Sequence, residues 1–503
     1  MNSDQQFNQY LKKTTREAGF VFITRVFAYL VGLGTSIVYA RFLGADLYGV
    51  FQLAITVISS LMIFTIFGMS SGLVRFIPIY ESSKDKEKLK GTINFSILLG
   101  ILTSIFLGFL LFLFRDTIAF KLFKEPRLAT ILPVFSIILI FYTVIMLFGG
   151  IIQANKKYSI FVLYKEIVER LSAVLIFLVF VFILSNKLFA ITWAKFLAAI
   201  IVLILTGKWI LKQYPILFKK PILPRINRRE FIVYSSNLMF ISFTYFLMGQ
   251  VNRLIVGAYA SSREVAYYSV GMVISGFVIF ILTSFNSIFA PIISELYHKK
   301  EYETLRRMYS TLTRLIWVFT LPIFLWIVVF SRRILLFYGH EFTQAEWVLI
   351  FLAMGQFVNA AVGPNGLMLS MSGHQKWEMF NGIAVATLNV VLNILLVPRY
   401  GATGSAIAGS AALTLVNIIK SIEVWVVMGM IPYNLKFIKP IISGITGFVV
   451  LYILRHLFTP GFVYTLFAFA IGVIVILGVS FLLGLEEEDK MLLRTIRRKI
   501  WKA

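Results

Sequence analysis

Apolar runs of roughly 20 to 30 residues alternate along the chain with short polar breaks, most of them basic. A helix needs about 20 residues to cross the hydrocarbon core of a bilayer, so each run is long enough for one span. The pattern predicts about fourteen transmembrane helices, near 18–40, 48–73, 91–114, 129–152, 158–184, 189–211, 231–258, 265–293, 311–330, 346–371, 377–397, 404–429, 438–456 and 461–484. Together they consume roughly 280 residues, just over half of the 503. Composition agrees: 59% of residues are hydrophobic and 14% charged, against about 45–50% and about 25% in a soluble domain. The expected fold class is all-α and polytopic, an integral membrane protein rather than a soluble enzyme with one anchor.

The 48 Lys and Arg outnumber the 23 Asp and Glu, giving a net charge of +25. Such a surplus suits nucleic acid, a membrane surface or an anionic substrate. Nucleic acid is not an expected partner, because the basic residues sit in short loops between apolar runs. One set of alternate loops collects Lys12, Lys13 and Arg16, then Lys84, Lys86, Lys88 and Lys90, the pair Lys156–Lys157, the central loop, the Lys299–Arg314 stretch, Lys376, Lys436, Lys439 and the tail from Lys490. The other set holds Arg41, the Arg115–Arg127 group, Lys187, Arg253, Arg263, Arg332, Arg333, Arg399 and Arg455. The ratio, about 30 to 12, predicts cytoplasmic termini on a multi-pass protein of the cell membrane by the positive-inside rule. The polar start MNSDQQFNQYLKKTTREAG reads as a lead-in to the first span rather than a cleaved signal.

The basic, proline-bearing loop at 212–230 separates halves that look alike at an offset of about 216–219 residues. Tyr39-Ala40-Arg41…Tyr48 parallels Tyr259-Ala260…Tyr267, Phe114-Arg115-Asp116…Phe120 parallels Phe330-Ser331-Arg332…Leu336, and Tyr80 parallels Tyr297. A shared offset across several weak matches predicts a repeated six-helix unit with pseudo-two-fold symmetry about the membrane normal. The expected organisation is an N-terminal lobe at 1–211, a cytoplasmic linker at 212–230, a C-terminal lobe at 231–430, two extra spans at 431–485 and a basic tail at 486–503, with a cavity between the lobes.

Charges inside spans point to function, because each costs a few kcal/mol even on the gentlest insertion scale. Arg25 lies about two turns into the first span with no opposite charge within one helical turn. It is a candidate to clamp a phosphate with its guanidinium fork; the alternative is an arginine that snorkels to the inner headgroups or pairs with another helix. The fifth span carries Lys165, Glu166, Glu169 and Arg170, whose i,i+4 spacing predicts the pairs Lys165–Glu169 and Glu166–Arg170. An internal ion-pair cluster and a cavity floor reached by Lys165 or Arg170 are both open readings, and Lys195 suits either. In the second half, Asn252-Arg253 closes span seven, Asn286 and Glu295 lie in span eight, and Asn389 and Asn393 in span eleven. Lys420 and Glu423, at i,i+3, predict a local pair in span twelve. Asparagine within a membrane often only hydrogen-bonds a neighbouring helix.

Several chemistries are not expected. Cysteine is absent and His298, His340, His374 and His456 are scattered, which leaves no disulfide, thiolate or zinc site. No GxxxxGK[ST] loop provides ATP hydrolysis. GLGTS at 32–36 and GATGSAIAG at 401–409 read as small-residue packing surfaces. No cofactor is implied, and coupling to Na+ or H+ has no assigned residue. Asp116 and Glu125, the only acids of the first large external loop, are a thin basis for a membrane glycan polymerase or ligase. The protein is not expected to be an enzyme.

YARFLGADLYGVFQLAITV (39–57) and FGMSSGLVRFIPIYESSKDKEKLKGTI (67–93) resemble the oligosaccharide flippases of the polysaccharide transporter family, in the multidrug/oligosaccharidyl-lipid/polysaccharide exporter superfamily. VNRLIVGAYASSREVAYYSVG (251–271) and FAPIISELYHKKEYETLRRMYSTLTR (289–314) are similar to it as well. So is LNVVLNILLVPRYGATGSAIAGSAA (388–412), with Asn393, Pro398, Tyr400, Gly401 and Gly404 in place. The resemblance runs nearly end to end and lies closer to the O-antigen-type flippases than to the multidrug extruders. It implies two six-helix lobes alternating between inward- and outward-open states. It also implies export of an undecaprenyl- or dolichyl-pyrophosphate-linked oligosaccharide to the outer leaflet. Arg25 sits where the sister family of lipid II flippases carries a span-one arginine, and Arg75 and Arg253 match arginines of the branch itself. Asn252 stands where the branch often has Asp, which counts against an ion site there. The expected substrate-binding set is thus Arg25, Arg75, Lys165, Arg170, Arg253, Asn252 and Asn286. Expected partners are the lipid-linked oligosaccharide, membrane lipids, and glycosyltransferases and a polymerase of the same pathway. A cation-coupled multidrug exporter is the alternative; it needs an unpaired acid deep in a span, whereas Glu166, Glu169 and Glu423 each have a basic neighbour in the sequence.

Overall fold

The computed structural model describes residues 3–215, 225–457 and 461–484, with side chains from Thr24 onward except those of Arg25, Ser287 and Ile288. Residues 216–224 of the expected linker and the expected tail at 486–503 lie outside the described residues. Among the described residues the chain is helical, without strands. In order the helices are α1 (Ser3–Ile66), α2 (Met69–Ser82), α3 (Lys86–Leu113), α4 (Pro126–Ala154), α5 (Tyr158–Val162), α6 (Glu169–Ile183), α7 (Lys187–Gln213), α8 (Arg228–Gly249), α9 (Val251–Tyr259), α10 (Ser262–His298), α11 (Tyr302–Leu336), α12 (Glu346–Ala361), α13 (Asn365–Met371), α14 (Gln375–Met428), α15 (Ile438–Leu457) and α16 (Phe462–Leu482).

The apolar runs become helices because a bilayer leaves backbone N–H and C=O groups no partner but each other. Polar residues in the breaks then supply the ends. Asp85 accepts from the backbone N–H of Lys88 at 3.0 Å to start α3, and Asn186 accepts from Leu188 at 2.9 Å to start α7. Ten helical stretches among the described residues are long and apolar enough to span a membrane, or eleven if the pair His340–Ala361 and Asn365–Met371, bent by 45°, is one span. The apolar runs predict about fourteen, and part of the difference has a simple origin. Two stretches, Val26–Ser82 and Gln375–Met428, are 57 and 54 residues long, more than twice what one crossing takes. Within them Gly44 (φ 73°, ψ 172°) and Gly401 (φ 55°, ψ −138°) leave helical geometry. These conformations are open essentially to glycine alone, so each marks a fold from one helical piece to the next.

The chain forms two compact units, one up to Ala266 and one from Tyr267 onward. In the first, α4 is packed by α1, α2, α3 and α7, and Leu132, Phe135, Leu139 and Ile145 along it are fully buried. Thr65 and Thr143 hydrogen-bond each other at 2.7 Å, and Ser70 donates to the Met146 carbonyl at 2.9 Å. Such hydroxyl contacts tie membrane helices where apolar surface alone provides no preference over lipid. α8 lies on α2 through the Phe76–Phe231 and Phe76–Tyr234 ring contacts. In the second unit α11 packs on α12, α15 and α16, and α14 packs on α12 and α13. Phe289 and Ile293 of α10 bury with Leu305, Tyr309, Leu312 and Met368.

Candidate functional site

The chain between α5 and α6 takes a π-helical turn over Leu163–Val168. The wider turn inserts an extra residue and rotates the helix beyond it; such turns are rare and cluster at functional sites. Here it falls on the segment that carries the embedded charges, and the side chains converge. Lys165 donates to Glu169, and Lys195 from α7 donates to Glu169 Oε1 at 2.6 Å. Tyr142 from α4 donates its hydroxyl to the same oxygen at 2.5 Å. The Lys165 ammonium also faces the Tyr142 ring, 3.6 Å from its centroid. Glu169 is only 1% exposed, and a carboxylate so placed is tolerated only when paired and hydrogen-bonded. Two ammoniums and one phenol meet that need.

Arg170, next along the helix, turns toward α1. Its Nη1 donates to the Ala28 carbonyl at 2.7 Å, and its Nη2 lies 3.8 Å from Glu166. The guanidinium rests against Gly32, where a Cβ would stand 2.4 Å from Nη1. GLGTS therefore does more than pack helices: its first glycine opens the space that Arg170 occupies. Arg170 keeps 36% of its side chain exposed, and among the described residues one of its five donors is used in a hydrogen bond. Three cations (Lys165, Lys195, Arg170) against two anions (Glu166, Glu169) leave the cluster one positive charge in surplus.

Both i,i+4 pairs expected in the fifth span are present, and the structure brings Lys165 and Arg170 into one cluster. The other expected site residues have surroundings of their own. Arg25 occupies the α1 position one helical turn before Ala28, and its side chain lies outside the described residues. Arg75 is exposed on α2, its guanidinium stacked 4.3 Å from the Tyr234 ring centroid. Asn252 is buried on α9, and Arg253 donates to Gln250 Oε1 at 3.1 Å. Asn286 belongs to the second unit, and its buried carboxamide oxygen accepts no hydrogen bond among the described residues.

The second unit carries its own polar set. Lys420 pairs with Glu378 at 2.6 Å rather than with Glu423, and Glu423 accepts instead from Asn381 at 2.6 Å. The local i,i+3 pair expected there does not form, because α14 folds at Gly401 and offers each side chain a better-placed partner across the bend. Asn417 donates to Asn359 at 3.1 Å, Asn365 to the Asn417 carbonyl at 3.0 Å, and Ser405 to Asn393 at 2.5 Å. Glu125, weighed above as a catalytic acid, is engaged structurally: Arg127 holds both its oxygens at 2.7 and 2.8 Å beside Ser262. Nearby, Arg263 grips Asp46 at 2.7 and 3.3 Å. Sequence reasoning missed Tyr142, Glu378 and Asn381. Tyr142-Thr143 had a signal, as the polar interruption of an apolar run; the other two had none, since their partners lie 42 residues away.

The helical architecture is shared with solved transporters. The chain is similar to the lipid II flippase MurJ in an inward closed conformation, with a TM-score of 0.71 and 18% identity over 92% of this chain and 98% of that one. It is also similar to an inward-facing multidrug resistance MATE family transporter, with a TM-score of 0.66 and 13% identity over 80% and 94% of the two chains. At those identities the likeness is one of fold. An uncharacterized membrane protein of Methanocaldococcus jannaschii is 21% identical over 504 residues, covering 95% of this chain and 96% of that protein. A probable low-salt glycan biosynthesis flippase of Haloferax volcanii is 25% identical over 210 residues, 41% of this chain and 43% of that one. The MatE profile matches residues 238–395. The profile of the family described as polysaccharide biosynthesis protein matches residues 14–297, more than half of the chain, and the chain belongs to that family.

Proposed function

We propose that this multi-pass membrane protein is a flippase that moves a prenyl-pyrophosphate-linked oligosaccharide from the cytoplasmic to the outer leaflet by alternating access, for surface polysaccharide or glycan synthesis. The observation that carries the reading is a positively charged cluster built into the transmembrane helices of a polysaccharide biosynthesis family member. Embedded charge is costly and marks a substrate path, and a transporter fold of this family needs to hold a charged headgroup where lipid tails cannot. Arg170, which among the described residues gives one hydrogen bond, to the Ala28 carbonyl, and whose fork matches phosphate oxygens, is the first ligand of the diphosphate; Lys165 and Lys195 supply field from behind it. Arg25 and Arg75 add cationic positions on α1 and α2. The repeats at 1–211 and 231–430 act as the halves of the device, in a cell membrane with cytoplasmic termini, beside the glycosyltransferases and polymerase that make and use the glycan.

The test is leaflet exchange in proteoliposomes. A prenyl-diphosphate-linked oligosaccharide with a fluorescent sugar is loaded, and an impermeant quencher reports the outer-leaflet fraction with time. Protein-dependent exchange that Arg170→Ala slows is the expected result, with the glycosidic linkages unchanged on product analysis. Altered linkages mean a polymerase or ligase, and no exchange at all overturns the proposal. One observation favours a cation-coupled exporter: Glu423, an embedded acid, has neutral Asn381 as its hydrogen-bond partner. Resistance of expressing cells to cationic dyes, lost on Glu423→Gln, is the outcome that selects it.

A further inference from the structure

Three arginines meet where two spans of the second unit end. Arg332 and Arg333 lie in the last turns of α11, Arg455 lies in the last turn of α15, and Arg333 Nη2 donates to the Arg455 carbonyl at 2.6 Å. Like charges drawn together repel, and the partial negative charge of a helix C-terminus offsets only part of that. Other arginines of the sparsely basic loops are matched by acids: Arg115 pairs with Asp116, Arg127 with Glu125 and Arg263 with Asp46. Arg332 and Arg455 are not. Both are exposed, and among the described residues neither guanidinium forms an ion pair or donates a hydrogen bond. Glu346 accepts instead from Ser331 at 2.8 Å.

The surroundings indicate what answers the charge. α11 and α15 are both long and apolar enough to span a membrane, so their ends lie at the level of the lipid headgroups. Tyr452 and Leu457 flank Arg455 and are exposed, as is Phe462 at the start of α16. Phe337, just past α11, packs on Phe462 with ring centroids 4.7 Å apart, which brings the three helix ends together. Cationic forks beside exposed apolar surface are complementary to a lipid: phosphate oxygens suit the guanidiniums, and acyl chains suit the helix faces. We propose that Arg332, Arg333 and Arg455 bind the headgroup phosphate of an anionic bilayer phospholipid. Basic pockets between membrane helices hold anionic headgroups in this way. A zwitterionic lipid carries its own ammonium beside the phosphate and gains less from the arginines. The inference requires only that the chain spans a membrane; it is independent of the transport reading.

Binding of fluorescent phosphatidylglycerol to the full chain in detergent micelles, against phosphatidylcholine with the same chains, tests it. The wild type is expected to prefer phosphatidylglycerol by about tenfold or more. Arg332→Gln and Arg455→Gln are each expected to weaken phosphatidylglycerol about fivefold, and the double variant to bring the two lipids within about twofold of each other. Arg399→Gln removes another exposed arginine of the same unit; it is the control for net charge and is expected to keep the wild-type preference. Exposed substitutions of this kind leave folding intact, which thermal melting of each variant checks. Inorganic phosphate in about tenfold excess, at constant ionic strength, is expected not to displace the lipid, because the chains add apolar contact that the free ion lacks. Equal binding of the two lipids by the wild type overturns the site, and so does a wild-type preference in the double variant. An equal loss in Arg399→Gln reduces the effect to overall charge, and displacement by inorganic phosphate makes the arginines a free-anion site; either result overturns the proposal.

Discussion

Replacing Gly32 with alanine separates the position of Arg170 from its charge. The added Cβ would stand 2.4 Å from Nη1 and 3.3 Å from Cζ of Arg170. Ordinary contact needs about 3.5 Å, so the guanidinium must retreat by about 1 Å, and it is the far end of a flexible side chain that can do so. Retreat gives up the 2.7 Å bond to the Ala28 carbonyl. A hydrogen bond to a charged donor contributes about 1.5–3 kcal/mol, but Arg170 is more than one-third exposed, and solvent screening reduces that to about 1 kcal/mol. Alanine in a helix interior returns about 0.8–1.0 kcal/mol relative to glycine. The two contributions cancel, and the melting temperature is expected to stay within about 2 °C of the wild type.

Transport responds differently. If Arg170 supplies a charged hydrogen bond to the diphosphate from its present position, displacement forfeits about 1.5 kcal/mol or more, an exchange rate lower by about tenfold. The assay is the initial rate of leaflet exchange in proteoliposomes, with thermal melting on the same preparation. Gly34→Ala is the control, since a Cβ there meets nothing within 4 Å. Wild-type exchange by Gly32→Ala would show that the guanidinium's place is immaterial. A melting temperature lower by about 8 °C or more would show that Gly32 serves packing and that the reasoning about Arg170 is wrong.

Other expectations are separate from that cluster. Gly44→Ala forces a side chain into a backbone region that costs about 1–3 kcal/mol, and a reduced yield of monodisperse protein is the result to look for. A double-mutant cycle of Lys420→Met with Glu378→Gln is expected to return coupling of about 1–2 kcal/mol, against near zero for Lys420→Met with Glu423→Gln; the reverse order contradicts the pairing across α14. At Glu125, burial alone would raise the carboxyl, but the hydrogen bonds from Arg127 and Ser262 and the Arg127 charge outweigh it and hold it below the ordinary carboxylate value. A carboxylate depressed in the folded state stabilises above its unfolded pKa and ceases to do so as pH falls through its native one. Glu125→Gln is therefore expected to lower the melting temperature at pH 7, and the deficit to shrink as pH falls through the depressed native pKa of the carboxyl; a deficit that grows on acidification contradicts this.

What the sequence carried was whatever depends on local composition. The apolar runs at 91–114, 129–152 and 189–211 became α3, α4 and α7 with small shifts of boundary, because the length and hydrophobicity of a span are local properties. The i,i+4 pairs of the fifth span were legible for the same reason: one turn of helix brings those residues together whatever surrounds them. The failure at Lys420 is instructive by contrast. Its neighbour at i+3 was available, but the bend at Gly401 supplied Glu378 at 2.6 Å, and no spacing rule reports a partner from a different helical piece. Tyr142 and Lys195 reached Glu169 across 27 and 26 residues, through helix packing rather than pattern. The π-helical turn at Leu163–Val168 leaves no signature in hydropathy, although it fixes where Lys165 and Glu166 point.

The two units distribute charge unequally, and the inequality bears on mechanism. In the first, three cations meet two acids and the cluster is left at +1. In the second, Lys420 alone faces Glu378, while Glu423 is met by an amide, so those three residues sum to −1. On the transport reading proposed above, the cluster of the first unit suits an anion and the embedded charges of the second do not.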